Sequence, residues 1–267
     1  MATEKQTFML PANGMEFYCE MRGSGPLVVL VPDGHNDCEP YDNVAKELAP
    51  YFTTLSFDMR GGTRSMDPTP RKVTPSLLGE DIVAIVKAIN MGKASLYGCS
   101  SGGQAVLAAA KKEPDLFRNV MVHEAAFQND TPLPQAGFLY FRNMSTFAPY
   151  LKDPITYRDL YGICNAETSL KVSPEVRERL AKNLDYWATW YLGTVDADSY
   201  YKEDFEKMPP VSFSVGTWTP SWLVYSNIVT AERGGCPLTW FNCPHHPELV
   251  IPKELAAYLK ETIEQYL

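Results

Sequence analysis

The sequence predicts an α/β fold: a mostly parallel central sheet flanked by helices, with a helical cap inserted into it. Three observations carry this. Apolar runs suited to strands alternate with stretches of helical periodicity, the pattern of parallel strands joined by crossover helices. The run Leu27-Val28-Val29-Leu30-Val31 is apolar without interruption, as a strand buried on both faces must be. Residues 94–110, ASLYGCSSGGQAVLAAA, pass from an apolar run through a knot of glycine and serine into an alanine-rich helix former. At 267 residues, with 45% apolar and 21% charged side chains, the chain has globular composition and room for one large α/β domain.

Each element follows from local pattern. Residues 8–10 and 15–20 read as two strands that open the sheet, turning in a hairpin at Ala12-Asn13-Gly14. The strand at 27–31 leads to a helix around 41–49 and a strand at 53–57. From 76 to 91, Leu77, Leu78, Ile82, Ile85, Val86 and Ile89 recur at helical spacing. A strand at 94–97, a helix at 103–112 and a strand at 119–123 come next. Residues 128–210 differ in character, with helical segments rich in aromatics and prolines near both ends (Pro132, Pro134, Pro209, Pro210). They read as a cap, leaving 1–127 and 211–267 as the core domain. The core resumes with a strand at 211–216 and closes with a strand at 238–242 and a helix at 253–267, whose Leu255, Tyr258, Leu259 and Ile263 share one face.

Composition excludes several function classes. A net charge of −8 without a Lys/Arg cluster argues against nucleic acid as a partner. No segment reaches the length of a membrane span, and the first residues lack the basic region and apolar run of a signal peptide, so a cytoplasmic protein is expected. The six cysteines form no C-x-x-C pair and read as buried free thiols. No cofactor is called for, and a homodimer is left open.

The chemistry centres on Gly98-Cys99-Ser100-Ser101-Gly102, which matches G-x-S-x-G, a strand-to-helix turn that lifts a serine hydroxyl clear of a sheet. Ser100 is the candidate nucleophile; Ser101 lacks a glycine two residues before it. Such a serine needs a base and a group to orient that base. Only His35, His123, His245 and His246 exist, and the last two follow the final strand, where the base belongs in a nucleophile-acid-histidine chain order. One of the pair should face the serine, its neighbour solvent or a strand end. His123 reads as a satisfied buried histidine, and His35 could stack on substrate. The usual position of the acid is empty, since residues 211–231 contain no Asp or Glu. Glu124, directly after the strand at 119–123, is the candidate instead; Asp33 and Asp58 read as turn-stabilising carboxylates. A metal bound by His245, His246 and Glu248 fits no H-E-x-x-H spacing. Oxyanion donors are expected from the Ser101 amide and, in the loop Pro32-Asp33-Gly34, from Gly34.

The elbow GCSSG, the segment VPDG at 31–34, His123-Glu124, NIVTA at 227–231 and H-x-P beginning at His245 resemble the fungal zearalenone lactonase family of α/β-hydrolases, over essentially the whole chain. The resemblance implies an α/β-hydrolase fold and a Ser100-His245-Glu124 triad with oxyanion donors at Gly34 and Ser101. It also implies a small apolar aromatic lactone as substrate. In the cap, KNLDYWATWY at 182–191 resembles the family segment that holds a substrate-contacting tryptophan, here Trp187; the cap's own core is the competing reading of Trp187, Trp190 and Tyr191. His35, Trp218 and Trp222 complete the substrate-binding candidates. Residues 35–37, 131–168, Trp218 and Trp222 depart from the family pattern and bear on the substrate rather than the triad. The implied reaction is acyl transfer from a lactone to Ser100 followed by hydrolysis; for a resorcylic lactone, loss of carbon dioxide from the freed acid would make opening irreversible. Two other readings stay open, a general carboxylesterase and a slow-turnover, hormone-receptor-like binding module. Dehalogenase and epoxide hydrolase chemistry would need an aspartate where Ser100 stands.

Overall fold

The computed structural model describes residues 4–127, 171–191, 194, 199–219 and 221–267, with Trp222 as backbone only. Eight strands form one sheet in the order β1-β2-β4-β3-β5-β6-β7-β8. β1 (Gln6–Ala12) and β2 (Met15–Arg22) make the expected hairpin, and β2 runs antiparallel to β4 (Thr53–Phe57). From β4 onwards the neighbours are parallel: β3 (Leu27–Val31), β5 (Ala94–Cys99), β6 (Phe117–His123), β7 (Val211–Gly216) and β8 (Leu238–Phe241).

Alternation along β3 shows why it is apolar throughout. Val28 and Leu30 pack with α1 (Asp42–Leu48), whereas Leu27, Val29 and Val31 pack on the opposite face with α2 (Pro75–Ile89) and α3 (Ser101–Lys112). α2 starts where Thr74 Oγ1 accepts from the Leu77 amide at 3.1 Å. It stops two residues before the expected end because Asn90 turns left-handed, with φ 54°.

Between β6 and β7 the described residues include α4 (Pro174–Trp190) and the short α5 (Lys202–Phe205). They fall in the segment expected to be a cap; its part from 128 to 170 lies outside the described residues. α6 (Ser221–Gly234) follows β7, and the short α7 (Pro247–Val250) and α8 (Pro252–Glu264) follow β8. α6 carries no apolar stripe to announce it. Its buried side includes Ser226, Asn227 and Thr230, which return their polar groups to Leu223, Ala125 and Ser226 carbonyls at 2.9 Å. Among the described residues, no helix is long and apolar enough to cross a membrane. Cys19, Cys38, Cys99 and Cys243 are buried free thiols, Cys236 is a half-buried one, and Cys164 lies outside the described residues.

Two features of the sheet place a site. Strand order reverses at β3, so the chain leaves β3 towards β4 on one side and returns as β5 on the other, which parts the loops at their carboxyl ends. The strand ends are also level: Val31 pairs with Gly98, Cys99 with His123, His123 with Ser214, and Gly216 with Phe241. The residues that follow therefore emerge along one edge.

The hairpin and α2 are joined by a buried ion pair. Arg60 donates from Nε and Nη2 to both oxygens of Asp81 at 2.9 and 2.6 Å, and from Nη2 to the Asn13 carbonyl at 3.3 Å. Asp67 lies 3.3 Å from its Nη1. Removing the cation leaves buried carboxylates unpaired, a loss of about 3–5 kcal/mol. Arg60→Met is expected to lower the denaturant midpoint accordingly; a stability within 1 kcal/mol of wild type, on the order of a surface substitution, would show the pair to be dispensable.

Candidate active site

Ser100 sits between the end of β5 and the start of α3 with φ 55° and ψ −117°, backbone that a residue with a side chain holds only under constraint. The flanking glycines supply the space. A Cβ on Gly98 would stand 2.3 Å from the Gly102 carbonyl oxygen, and one on Gly102 would stand 2.3 Å from the Pro32 carbonyl oxygen. Both contacts are with backbone, so neither can yield without moving the elbow. Hydrogen bonds hold the turn from either side: the Ser100 amide donates to the His123 carbonyl at 2.9 Å, and the Ser100 carbonyl accepts from the Gln104 amide at 3.2 Å.

Glu124 follows β6 directly and is fully buried, with φ 44°. Oε1 accepts from the Gly216 amide at 2.6 Å, and Oε2 lies 2.5 Å from His245 Nδ1. Burial works to raise its pKa, but the neighbouring His123 and His245 and the Gly216 amide outweigh it, so the carboxyl lies below its ordinary range. The same pair acts oppositely on His245. Burial lowers the imidazole, while the bond to Glu124 and that carboxylate's charge, helped by Asp33 and Glu248, raise it above 6.5. With Nδ1 turned to Glu124, Nε2 is the nitrogen left for a substrate or nucleophile proton.

The loop carrying His245 crosses back over the sheet edge. Cys99 Sγ donates to the His245 carbonyl at 3.4 Å, which brings the histidine to the strand end that Ser100 follows. The side chains of Ser100 and His245 share no hydrogen bond in this structure. Such contacts commonly tighten only when substrate binds.

Gly34 and Ser101 stand where oxyanion donors were expected. The amide of Ser101 opens α3, where no carbonyl of the helix can accept from it. Trp187, on α4, spans both residues: its Nε1 donates to Ser101 Oγ at 2.9 Å, and a Cβ on Gly34 would stand 2.6 Å from that nitrogen. Trp187 is 6% exposed and packs into the core of the sheet's α3 face. Trp187 is therefore a core residue that borders both candidate oxyanion donors.

All four histidines line up in one row. Ring centroids are 5.5 Å apart for His35 and His246, 4.8 Å for His246 and His245, and 6.4 Å for His245 and His123. His246 is the departure from expectation: it turns inward rather than to solvent, with Nδ1 3.0 Å from Glu248 Oε1 and Nε2 3.5 Å from Asp33 Oδ2. Nothing in the local sequence distinguishes it from His245. His123 is fully buried and pairs through Nδ1 with Ser214 Oγ at 3.0 Å; burial lowers it to about 4, so it stays neutral. Asp33 takes a role of its own, 2.6 Å from His35 Nδ1 and accepting from the His35 amide. Asp58 is occupied by Arg64 and by the Cys38 amide. Neither competes with Glu124. Trp218 stands 59% exposed on the turn after β7, and the side chain of Trp222 lies outside the described residues. His245, His246 and Glu248 do not converge on one point, because the two histidines face different carboxylates.

Residues 26–154 match the model of the alpha/beta hydrolase fold. The chain is 33% identical to a zearalenone hydrolase of Cladophialophora bantiana over the full length of both, and 31% identical to one of Bionectria ochroleuca over 96% of each. It belongs to the zearalenone hydrolase family of α/β-hydrolases. The protein is thus a hydrolase of the carboxylic ester class. Among solved structures, the fold resembles an enol-lactonase of Burkholderia xenovorans (TM-score 0.78, 15% identity, 96% of this chain and 100% of that one) and an esterase of Thermogutta terrifontis (0.76, 18%, 98% and 99%). An epoxide hydrolase, CorEH, shares the fold at a TM-score of 0.76 and 18% identity.

Three outcomes are expected. Gly102→Ala should abolish activity or soluble expression, since its Cβ meets two carbonyl oxygens at 2.3 and 2.5 Å; an active, stable variant would mean the elbow has slack. For His245 to serve as a base it must be neutral, so kcat/KM should fall on acidification with a midpoint above 6.5. Glu124→Gln removes the charge that raises the imidazole while burial still lowers it. The midpoint should move to lower pH, and kcat should drop roughly 10⁴-fold, as when an orienting acid is lost from a serine protease. A pH profile unmoved by Glu124→Gln contradicts the role given to the carboxylate.

Proposed function

We propose that the protein opens the macrocyclic ester of zearalenone, or a close resorcylic lactone, through a Ser100-His245-Glu124 triad. The observation that supports this most directly is the buried 2.5 Å contact between His245 Nδ1 and Glu124 Oε2 on the sheet edge from which Ser100 emerges. The names of the two full-length relatives supply the substrate.

His245 Nε2 takes the Ser100 proton as Oγ bonds to the lactone carbonyl carbon, whose π electrons move to oxygen. The amides of Gly34 and Ser101 hold that oxyanion, each donor contributing about 2.7–4 kcal/mol to the transition state. Collapse breaks the bond from carbon to ring oxygen, and His245 returns its proton to the departing alkoxide. The alcohol stays tethered to the acyl group, so reclosure competes with water through its effective molarity. Water, deprotonated by His245, then attacks the acyl-enzyme and releases the hydroxy acid with Ser100 restored. Trp187, beside Gly34, offers an aromatic wall to a flat, uncharged substrate, and His35, Trp218 and Trp222 are the further contacts assigned to it. Residues 128–210 serve in this reading as the cap over the site.

Purified protein incubated with zearalenone should yield the ring-opened hydroxy acid, heavier by one water, or that acid less carbon dioxide. Ser100→Ala should cut turnover by about 10⁴-fold or more while leaving binding intact. Retained activity in that variant would remove the nucleophile; nitrophenyl esters turned over far faster than zearalenone would move the assignment to a general carboxylesterase.

A further inference from the structure

Four α4-side residues at four-residue spacing fasten the elements that carry the oxyanion donors. Arg179 pairs with Asp37 at 2.5 Å and Glu39 at 2.6 Å, and Asn183 Nδ2 donates to the His35 carbonyl at 2.7 Å. Trp187 covers Gly34 and bonds Ser101 Oγ, and the Tyr191 hydroxyl donates to Gln104 Oε1 at 2.5 Å. Residues so spaced share one face of a helix, and here that face meets the loop after β3 and the start of α3.

Asn183 is the member with a direct line to Gly34. It is 1% exposed, and its Oδ1 accepts from the Thr63 amide at 2.7 Å and from the Thr63 hydroxyl, which fixes which way the amide points. The peptide unit joining His35 to Asn36 accepts from Asn183 through the His35 carbonyl. Through its other end, the Asn36 amide, it donates to the Asp33 carbonyl at 2.9 Å. That carbonyl belongs to the same peptide unit as the Gly34 amide. Asn36 itself has φ 54°, so the turn is not one the backbone would choose unaided. Donor and acceptor thus alternate from Asn183 through two peptide units to the Gly34 N–H. Each bond both orients the next unit and polarises it towards stronger donation at the end.

We propose that Asn183 is a positioning residue for the oxyanion hole, acting on the Gly34 amide through the peptide units 35–36 and 33–34. The proposal rests on Ser100 being the nucleophile. An aspartate at 183 would keep an acceptor for Thr63 but set a carboxylate oxygen against the His35 carbonyl, turning the 35–36 unit away.

The test uses a fluorophosphonate probe, whose attack by Ser100 builds charge on an oxygen in the same place as hydrolysis does. Wild type, Asn183→Asp and Asn183→Ala are compared for the endpoint and rate of Ser100 labelling, kcat and KM. Labelling that still goes to completion at Ser100, but with its rate and kcat both lowered about 10- to 100-fold and KM within about threefold, is the expected result. A residue that merely stabilised the fold would lower the melting temperature and leave the rate per labelled molecule unchanged, and that outcome overturns the proposal. Should neither variant fold, Thr63→Val loosens the same amide from its other side, and wild-type labelling rates there are equally fatal. Absence of Ser100 labelling in wild type would instead bring down the nucleophile and this inference with it.

Discussion

One buried carboxylate ties the carboxyl edge of the sheet together. Glu124 belongs to the end of β6, takes the Gly216 amide at the end of β7, and holds His245 beyond β8, with both oxygens engaged at 2.6 and 2.5 Å. An ionised group with no exposure is costly unless each lone pair finds a donor. Here the donors are an amide fixed by sheet register and an imidazole on a loop. Satisfying the carboxylate therefore fixes the loop. The level ends of β6 and β7 also let a glutamate that follows β6 reach the His245 loop beyond β8.

The strain at the elbow is sustained by the same neighbourhood. Ser100 and Glu124 both carry positive φ, and each sits one residue past the end of a strand, at 55° and 44°. The two are joined through backbone, because the Ser100 amide donates to the carbonyl of His123, the residue before Glu124. Non-glycine residues in this region cost on the order of 1–3 kcal/mol each and persist where surrounding contacts over-determine them. The close packing of Gly98 against Gly102, and of Gly102 against Pro32, is that over-determination for Ser100.

Most of the sheet was legible in the sequence because its strands are buried on both faces or alternate cleanly. β3, β4 and β7 lie where the apolar runs end. Ser100 and Glu124 could be named as candidates for a different reason, since G-x-S-x-G and the carboxylate-free stretch after β7 are both local. α6 was not, because its buried face mixes Leu223 and Ala231 with Ser226, Asn227 and Thr230, which donate to backbone carbonyls, and so carries no periodic apolar signal. The inward turn of His246 was hidden likewise, as one of the two carboxylates it lies between, Asp33, is more than two hundred residues away. The grip of α4 on the loop after β3 joins residues 140 to 148 positions apart. Composition at either end says nothing of it.

The row of histidines gives this edge its electrostatic character. A proton taken by His245 creates a buried cation, and the adjacent imidazole of His246, 4.8 Å away, would oppose it if charged. The carboxylates interleaved with the rings work in the other direction. Glu124 touches His245, Glu248 and Asp33 flank His246, and the fields of all three favour the protonated form of His245. His123, on the far side, is held neutral by burial and adds no repulsion. Asp33 has a second duty in the loop before Gly34, where it anchors His35 through both its amide and its ring. The charge that favours a protonated His245 and the turn that precedes Gly34 therefore meet at one residue, which couples the histidine row to the loop after β3.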